Sequence, residues 1–152
     1  MTHETQTPAQ PPVSVVTVQG DASGFAQRIQ VGPYEWLVDE PPEVGGTATG
    51  PGPYDLLLAA LGACTSMTIA LYARRKHWPL QRVSVELVHS KVHAADCQDC
   101  LTREGFLDQI EKKISLEGNL TPEQHARLLE IGEKCPVHRT LRSEVVIHSE
   151  RA

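Results

Sequence analysis

Hydrophobic and polar positions alternate in three short segments near the start of the chain. The first covers 13–18 and is rich in β-branched residues, and the others cover 25–31 and 34–38. Glycine-containing turns separate the three segments. Alternation between turn residues is typical of strands. The pattern therefore predicts three strands that form an antiparallel meander.

A long loop and a long apolar segment come next. Two proline clusters and repeated glycine exclude regular structure from Asp39 to Pro53. Pro53 suits the first position of a helix, where its missing N–H costs nothing. Apolar residues then continue from Tyr54 to about Lys76, and Pro79 ends the segment. We expect a helix of about six turns, apolar on nearly all sides and surrounded by other elements.

Two more strands follow the predicted helix. The segment 83–88 alternates and can continue to His93. The segment 106–116 fits either a strand or a helix, and the turn residues at 117–119 favour a strand.

The last part of the chain predicts a second helix and a final strand. Thr121, Pro122 and Gln124 form a helix start with a capping box. The helix is expected to carry Cys135 on its apolar face and to end at Pro136, and 145–148 is expected to be a short strand. The resulting order of elements predicts an α+β fold in which the long helix packs on a sheet.

The composition limits the class of protein. The chain has 152 residues, of which 40% are hydrophobic and 22% charged, and its net charge is −5. We expect one domain over 13–152 after a disordered tail over 1–12. The acidic balance argues against nucleic acid as a partner. The apolar segment is slightly short for a membrane span and contains hydroxyl residues, so a core helix is expected. Without a visible secretory signal, we expect a cytoplasmic location.

Two cysteines carry the main chemical signal. Cys64 lies in the middle of the most apolar segment, and Cys135 directly precedes a proline. Most buried cysteines are small core residues, but two cysteines that fold together would form a dithiol suited to two-electron chemistry. A buried thiol has a raised pKa unless a cation or hydrogen bonds favour the thiolate. A functional Cys64 therefore requires such a group, and Arg28 and Arg139 are the candidates.

The sequence around both cysteines resembles the OsmC/Ohr family of thiol peroxidases. The resemblance rests on the segment 52–65, which contains Cys64, and on the segment 134–138, which contains Cys135. It implies an intertwined homodimer with two sites at the subunit interface. It also implies that Cys64 is the peroxidatic cysteine, which attacks an organic hydroperoxide, and that Cys135 is the resolving cysteine. An external dithiol would then reduce the disulfide, and no cofactor is required.

The chain departs from the well-studied subgroups of that family in one respect. Those subgroups have a glutamate shortly after the proline that opens the long helix, and an arginine early in the chain. Here Tyr54 takes the glutamate position, and Asp55 is nine residues before Cys64, so it faces the opposite side of the helix. Arg28 or Arg139, paired with a carboxylate of the Asp39–Glu40 segment, is our candidate for a replacement that stabilises the thiolate, and Arg28 is the one we assign to the site.

A second group of residues allows a metal site. His89 and His93 share one face of a predicted strand, and Cys97 and Cys100 have the spacing of a zinc knuckle. Three interpretations stay open: a zinc site, a redox-active Cys-x-x-Cys motif and a loop with neither role.

Three functional hypotheses follow. The first is a cysteine-based peroxidase that acts on organic hydroperoxides and protects against oxidative stress. The second is a redox or persulfide sensor or carrier that uses the same dithiol without efficient peroxide turnover. The third is a dimeric module that binds a small apolar ligand, because a fold alone does not determine a function.

Overall fold

A computed structural model describes residues 14–152. The chain divides into two compact units, one ending at Pro53 and the other running from Tyr54 to Ala152. The tail expected over 1–12 lies outside the described residues. The expectation of a single domain over 13–152 stays a prediction.

The first unit contains a three-stranded antiparallel meander. Strand β1 covers Val16–Gly20, β2 covers Gln27–Val31 and β3 covers Tyr34–Val38. On the central strand, Ile29 lies opposite residues of both neighbouring strands and is buried. The three strands and their order therefore confirm the sequence prediction, with starts that differ by up to three residues.

The loop after β3 is organised around the buried carboxylate of Asp39. This carboxylate accepts hydrogen bonds from the backbone N–H and the hydroxyl of both Thr47 and Thr49, and from the N–H of Glu40. The Thr47 hydroxyl is the largest cause of a strongly lowered pKa of Asp39; burial opposes it, and the Thr49 and Glu40 hydrogen bonds support it. Asp39 therefore fixes the loop, which also contains a single helical turn over Pro42–Val44.

The second unit packs a long helix on a two-stranded antiparallel sheet. Helix α1 covers Pro53–Arg75, strand β4 covers Leu80–His93 and strand β5 covers Phe106–Gly118. A Cβ atom at Gly62 of α1 would lie 2.8 Å from the Cδ1 atom of Leu87 on β4. The helix therefore approaches the sheet closely where it has no side chain.

The core of this unit lies between α1, the sheet and the next helix. Its centre is formed by Ile69, Ala73 and Leu128, all fully or almost fully buried. The opposite face of α1 is apolar but exposed at Leu57, Met67 and Leu71. The expectation that other elements surround α1 on all sides is thus met on one face only in the described chain.

Helix α2 covers Pro122–Gly132 and begins as predicted. Thr121 is its N-cap, and the hydrogen bonds of a capping box join Thr121 and Gln124 in both directions. Its end was predicted wrongly, because α2 stops at Gly132 and a short helix α3 covers Pro136–Arg142. Pro136 therefore begins a helix rather than ending one, which agrees with the preference of proline for the first helical turn.

The strand expected at 145–148 is absent from the described structure, in which 144–152 has no regular secondary structure. Three β-branched side chains in this segment are exposed: Val145, Val146 and Ile147. β-branched residues favour a strand only where a neighbouring strand can pair with it, and no described strand of this chain pairs with the segment.

The architecture is α+β, with antiparallel sheets and a long helix, as the sequence predicts. Helix α1 is long and apolar enough to cross a membrane by length and composition alone. The core helix of a soluble protein meets the same criterion, and Ile69 and Ala73 of α1 pack in the core with Leu128. The expectation of a core helix without a membrane partner stays a prediction.

Candidate dithiol site

Cys135 lies at the junction of α2 and α3 and serves as the N-cap of α3. Its Sγ atom accepts a hydrogen bond from the backbone N–H of His138 at 3.3 Å. The Cys135 side chain is fully buried. The Pro-x-His sequence after it therefore has a direct role: it begins the helical turn that aims the N–H of His138 at the sulfur.

The other side of the site is provided by two consecutive residues of α1. The Oγ1 atom of Thr65 lies 3.6 Å from the Sγ atom of Cys135. Cys64, the residue before Thr65, is half-buried, and its side chain is among the groups that lower the pKa of the Cys135 thiol. The structure thus brings together the two cysteines that the sequence singled out, and both are free thiols.

The surroundings of Cys135 favour its charged form. Burial raises the pKa of the Cys135 thiol, but hydrogen bonds from His138, Thr65 and Cys64 and the positive charge of Lys112 outweigh it. The net result is a pKa below the usual value. A lower pKa makes a larger fraction of the thiolate available, and the thiolate is the reactive form of cysteine.

Lys112 of β5 was not predicted as a site residue. Its side chain is only 9% exposed, and its Nζ atom lies 3.0 Å from a carboxylate oxygen of Glu133. The same Nζ atom lies 3.4 Å from Nδ1 of His138 and 3.5 Å from the carbonyl oxygen of Gly132. These partners come from the two ends of the α2–α3 junction that contains Cys135.

The sequence does contain a signal for Lys112. Ile110, Ile114 and Leu116 occupy alternate positions of β5, so Lys112 falls on the same face of the strand. A lysine among inward-facing apolar residues is rarely buried without a partner. That break in the apolar face marks Lys112 as a candidate, whereas Glu133 has no comparable signal.

Arg28, the proposed stabiliser of the Cys64 thiolate, lies on β2 in the first unit. It forms an ion pair with Glu35 of β3 at 3.3 Å, and its side chain is 60% exposed. Asp39, one of its expected partners, is instead surrounded by hydrogen bonds of its own loop. A role for Arg28 at Cys64 stays a prediction.

The structure does not bring the expected zinc ligands together. Cys97 and Cys100 are joined in a disulfide. His89 and His93 share a face of β4 but are about 13 Å apart along the strand, at 3.3 Å per residue. Among residues 14–152, no group of three or more His, Cys, Asp or Glu side chains could hold a metal ion. Zinc binding by these four residues stays a prediction, and this arrangement of the described residues does not support it.

His89 instead belongs to a polar cluster near the start of α1. Its ring stacks on Tyr54 with a centroid distance of 4.4 Å, and its Nε2 atom lies 2.8 Å from Asp108. Lys91 also contacts Asp108, at 2.9 Å. The Lys91 and His89 hydrogen bonds lower the pKa of Asp108. Tyr54, which replaces the expected glutamate, thus packs against an imidazole.

Antiparallel sheets, a long helix and two neighbouring free cysteines define the class: an α+β protein with a dithiol site. The family follows from the sequence, since the profile of the OsmC-like protein family matches residues 46–150. The chain belongs to this family. Comparison with curated proteins gives no match.

Solved structures show the same fold. An OsmC-like protein from Mycoplasma pneumoniae has a TM-score of 0.68 at 18% identity, over 88% of this chain and 89% of the other. An organic hydroperoxide resistance protein OsmC from Legionella pneumophila has a TM-score of 0.65 and 19% sequence identity, over 88% of this chain and 92% of the other. The organic hydroperoxide resistance protein OhrB of Bacillus subtilis has a TM-score of 0.59 and 20% sequence identity, over 86% of this chain and 90% of the other. At these identities the likeness is one of fold.

Proposed function

We propose that this chain is a thiol-dependent peroxidase that reduces organic hydroperoxides and so protects the cell against oxidative stress. One observation carries the proposal: Cys64 and Cys135 are both free thiols, and Thr65, which follows Cys64 on α1, lies with its Oγ1 atom 3.6 Å from the Sγ atom of Cys135. Family membership and the hydroperoxide resistance named for two structures of this fold support it.

The proposed reaction uses both sulfurs. The Cys64 thiolate attacks the O–O bond of the hydroperoxide, the bond breaks, and the alkoxide takes up a proton and leaves as an alcohol. Cys64 is then a sulfenic acid. The sulfur of Cys135 attacks Cys64, a disulfide forms and water leaves. An external dithiol returns two electrons and two protons by thiol–disulfide exchange.

We also propose that the chain acts as a homodimer in the cytoplasm. The apolar face of α1 at Leu57, Met67 and Leu71 is exposed in the single chain, as is the β-branched segment 145–147. Exposed apolar patches of this kind are typical of protein interfaces. A second copy of the chain is the proposed occupant, and sedimentation at micromolar concentration tests it.

Stopped-flow oxidation by cumene hydroperoxide tests the peroxidase. We expect rapid oxidation of Cys64, followed by a Cys64–Cys135 disulfide that mass spectrometry detects. Cys64→Ser should abolish the reaction, whereas Cys135→Ser should stop after a sulfenic acid on Cys64. Oxidation no faster than that of a free thiol would contradict the proposal.

A redox sensor or carrier is the second candidate. Tyr54 stands where the well-studied subgroups have a glutamate, and its ring stacks on His89. The described ion-pair partner of Arg28 is Glu35. If these differences slow peroxide turnover, the dithiol would still form a reversible disulfide. Slow oxidation by hydroperoxide together with rapid oxidation by a persulfide or a disulfide would favour this candidate.

A further inference from the structure

The disulfide between Cys97 and Cys100 lies at the tip of the β4–β5 hairpin, which covers 94–105. Cys97 directly follows a single helical turn over Ala94–Asp96, and both cysteines are partly exposed. The proposed peroxidase reaction uses Cys64 and Cys135 and leaves this second pair without a role. The disulfide at the tip is therefore either a structural link or a redox-active site.

The disulfide adds little to the stability of the hairpin. A disulfide stabilises a protein mainly by restricting its unfolded chain, and the effect grows with the number of residues in the loop that it closes. Cys97 and Cys100 are only three positions apart. The loop that they close is therefore very short, and the gain from closing it is small.

The hairpin tip has other contacts that hold it in place. The two strands pair as far as His93 and Phe106, whose rings meet edge to face at a centroid distance of 5.1 Å. The backbone N–H of Ala94 donates to the carbonyl oxygen of Gly105 at 2.8 Å. The N–H of Ala95 donates to Nδ1 of His93 at 3.3 Å. None of these contacts uses a cysteine sulfur, so we expect the tip to keep its shape when the disulfide is reduced.

The compartment proposed for the chain favours a redox role. Disulfides are rare in the reducing cytoplasm, and those found there are usually transient and either catalytic or redox-sensing. A partly exposed disulfide in that compartment meets protein dithiols that can reduce it. The cytoplasmic location is itself part of the proposed function, and this step alone rests on it.

Two apolar side chains of the same hairpin end are exposed. Leu101, which directly follows Cys100, is 97% exposed, and Phe106 at the start of β5 is 69% exposed. Exposed apolar groups beside a reactive bond suit contact with the surface of another protein better than contact with a small polar thiol. The partner class is therefore a protein that carries a dithiol or a disulfide.

The hairpin tip is separate from the dithiol site of Cys64 and Cys135. The backbone of α1 at Gly62, two residues before Cys64, lies against Leu87 of β4. From Leu87 to His93 the strand extends about 20 Å, at about 3.3 Å per residue. Two cysteines can form a disulfide only when their Cα atoms are within about 7 Å. Within one chain the two pairs therefore cannot exchange directly.

We propose that Cys97 and Cys100 form a second redox site, which gives the chain a thiol–disulfide exchange activity toward protein dithiols. A partner thiolate attacks one of the two sulfurs, the bond between Cys97 and Cys100 breaks, and the departing sulfur takes up a proton. The second partner thiol loses its proton and attacks the mixed disulfide. The partner leaves as a disulfide, and the released cysteine takes up a proton. Two electrons and two protons have then passed to the hairpin tip, and the reverse sequence returns them to a partner disulfide.

Peptide mapping of the native full-length chain tests the exchange. The folded protein is incubated with reduced thioredoxin, a small protein dithiol, and free thiols are alkylated before digestion. Mass spectrometry then reports Cys97 and Cys100 separately from Cys64 and Cys135. We expect the reduced fraction of the tip to follow the ratio of reduced to oxidised thioredoxin. A tip disulfide that stays intact in the folded chain under excess reduced thioredoxin would overturn the inference.

A thioredoxin that lacks its second cysteine traps the intermediate. Because this partner cannot leave as a disulfide, a mixed disulfide should accumulate on Cys97 or Cys100. A mixed disulfide on Cys64 or Cys135 alone would overturn the inference. Hydrogen exchange adds a readout of structure: β4 and β5 should keep their amide protection when the tip is reduced, and its loss would show a structural link instead.

Leu101→Ala tests the class of partner. It should slow the reduction by thioredoxin about fivefold, because apolar area that contacts the partner is lost, and leave the reduction by dithiothreitol unchanged. Leu141→Ala is the matched control, since Leu141 is an exposed leucine outside the hairpin, and it should change neither rate. Equal rates with thioredoxin in the two variants would overturn the assignment of a protein partner.

These outcomes are separate from those of the peroxidase test, because the exchange needs no hydroperoxide. A chain that does not reduce hydroperoxides can still exchange electrons at Cys97 and Cys100. Conversely, an active peroxidase whose tip disulfide resists thioredoxin would overturn this inference and leave the proposed function intact.

Discussion

Thr65 and Cys135 meet inside the second unit, 70 positions apart in sequence and with 3.6 Å between Oγ1 and Sγ. Both side chains are fully buried. A buried hydroxyl needs a partner, and the cysteine sulfur is the one it contacts. The contact joins the long helix to the start of α3 through polar atoms.

Thr65→Val removes the hydroxyl and keeps the shape of the side chain. We expect Cys135 to react with iodoacetamide about two- to tenfold more slowly at neutral pH, because one hydrogen bond contributes about 0.5–1.5 kcal/mol. Mass spectrometry of the alkylated peptides measures the rate. Thr68→Val is the control, because the Thr68 hydroxyl bonds to the backbone of α1. A similar slowing in both variants would contradict the assigned contact.

The core of the second unit is tested by two substitutions of the same kind. Leu128 is 0% exposed and Leu101 is 97% exposed. Leu128→Ala should lower the free energy of unfolding by about 2–5 kcal/mol, because it leaves a cavity beside Ile69 and Ala73. Leu101→Ala should change it by no more than about 0.5 kcal/mol. Urea denaturation compares the two, and equal losses would be incompatible with the described core.

Asp39 makes the first unit sensitive to acid. Because its pKa is lowered in the folded state, its contribution to stability is complete above the ordinary carboxyl value of about 3.9 and is lost as the pH falls further. Asp39→Asn should lower the unfolding temperature at neutral pH and flatten its dependence on acidic pH. Thermal scans across the acid range measure both.

The exposed Glu43 in the same loop provides the control for Asp39. Glu43→Gln removes a negative charge from the loop without touching the hydrogen bonds of Asp39. Its acid profile should follow that of the unsubstituted chain. A profile flattened as much as that of Asp39→Asn would show that net charge, and not the Asp39 cluster, sets the response.

The hairpin tip between β4 and β5 should contain a disulfide and no zinc. Protein purified without reductant or chelator should show two free thiols after denaturation, Cys64 and Cys135, out of four cysteines. Treatment with a dithiol should raise that number to four. Zinc should be well below one ion per chain, and stoichiometric zinc lost on chelation would restore the metal interpretation of Cys97 and Cys100.

Local signals in the sequence predicted much of the fold. The capping box at Thr121 gives hydrogen-bond partners to N–H groups at the start of α2. Pro53 has no N–H that would be left unpaired at the start of α1. Both signals act within one helical turn, so the local sequence is enough to predict them. Strand β3 was predicted at its observed bounds because turns flank it on both sides. The pairing of Cys64 with Cys135 came from the family resemblance, since no local rule brings residues of two helices together.

Features that depend on distant contacts were missed. The sequence predicts that a helix ends at Pro136, because it does not reveal that α2 ends earlier, at Gly132. The segment 145–148 has the residues of a strand, but pairing depends on a neighbour that its own sequence does not encode. The apolar face of β5 signals Lys112, but the sequence does not reveal its partners Glu133 and His138, which are distant from it along the chain.

The N-cap role of Cys135 couples chemistry to backbone shape. The sulfur that would close a disulfide is the same atom that accepts the N–H of His138 and so starts α3. A sulfur bonded to another sulfur has no negative charge and is a poorer acceptor. Oxidation would therefore weaken the first turn of α3, and the redox state of the Cys64–Cys135 pair would change the helical order of a segment that has no buried residues.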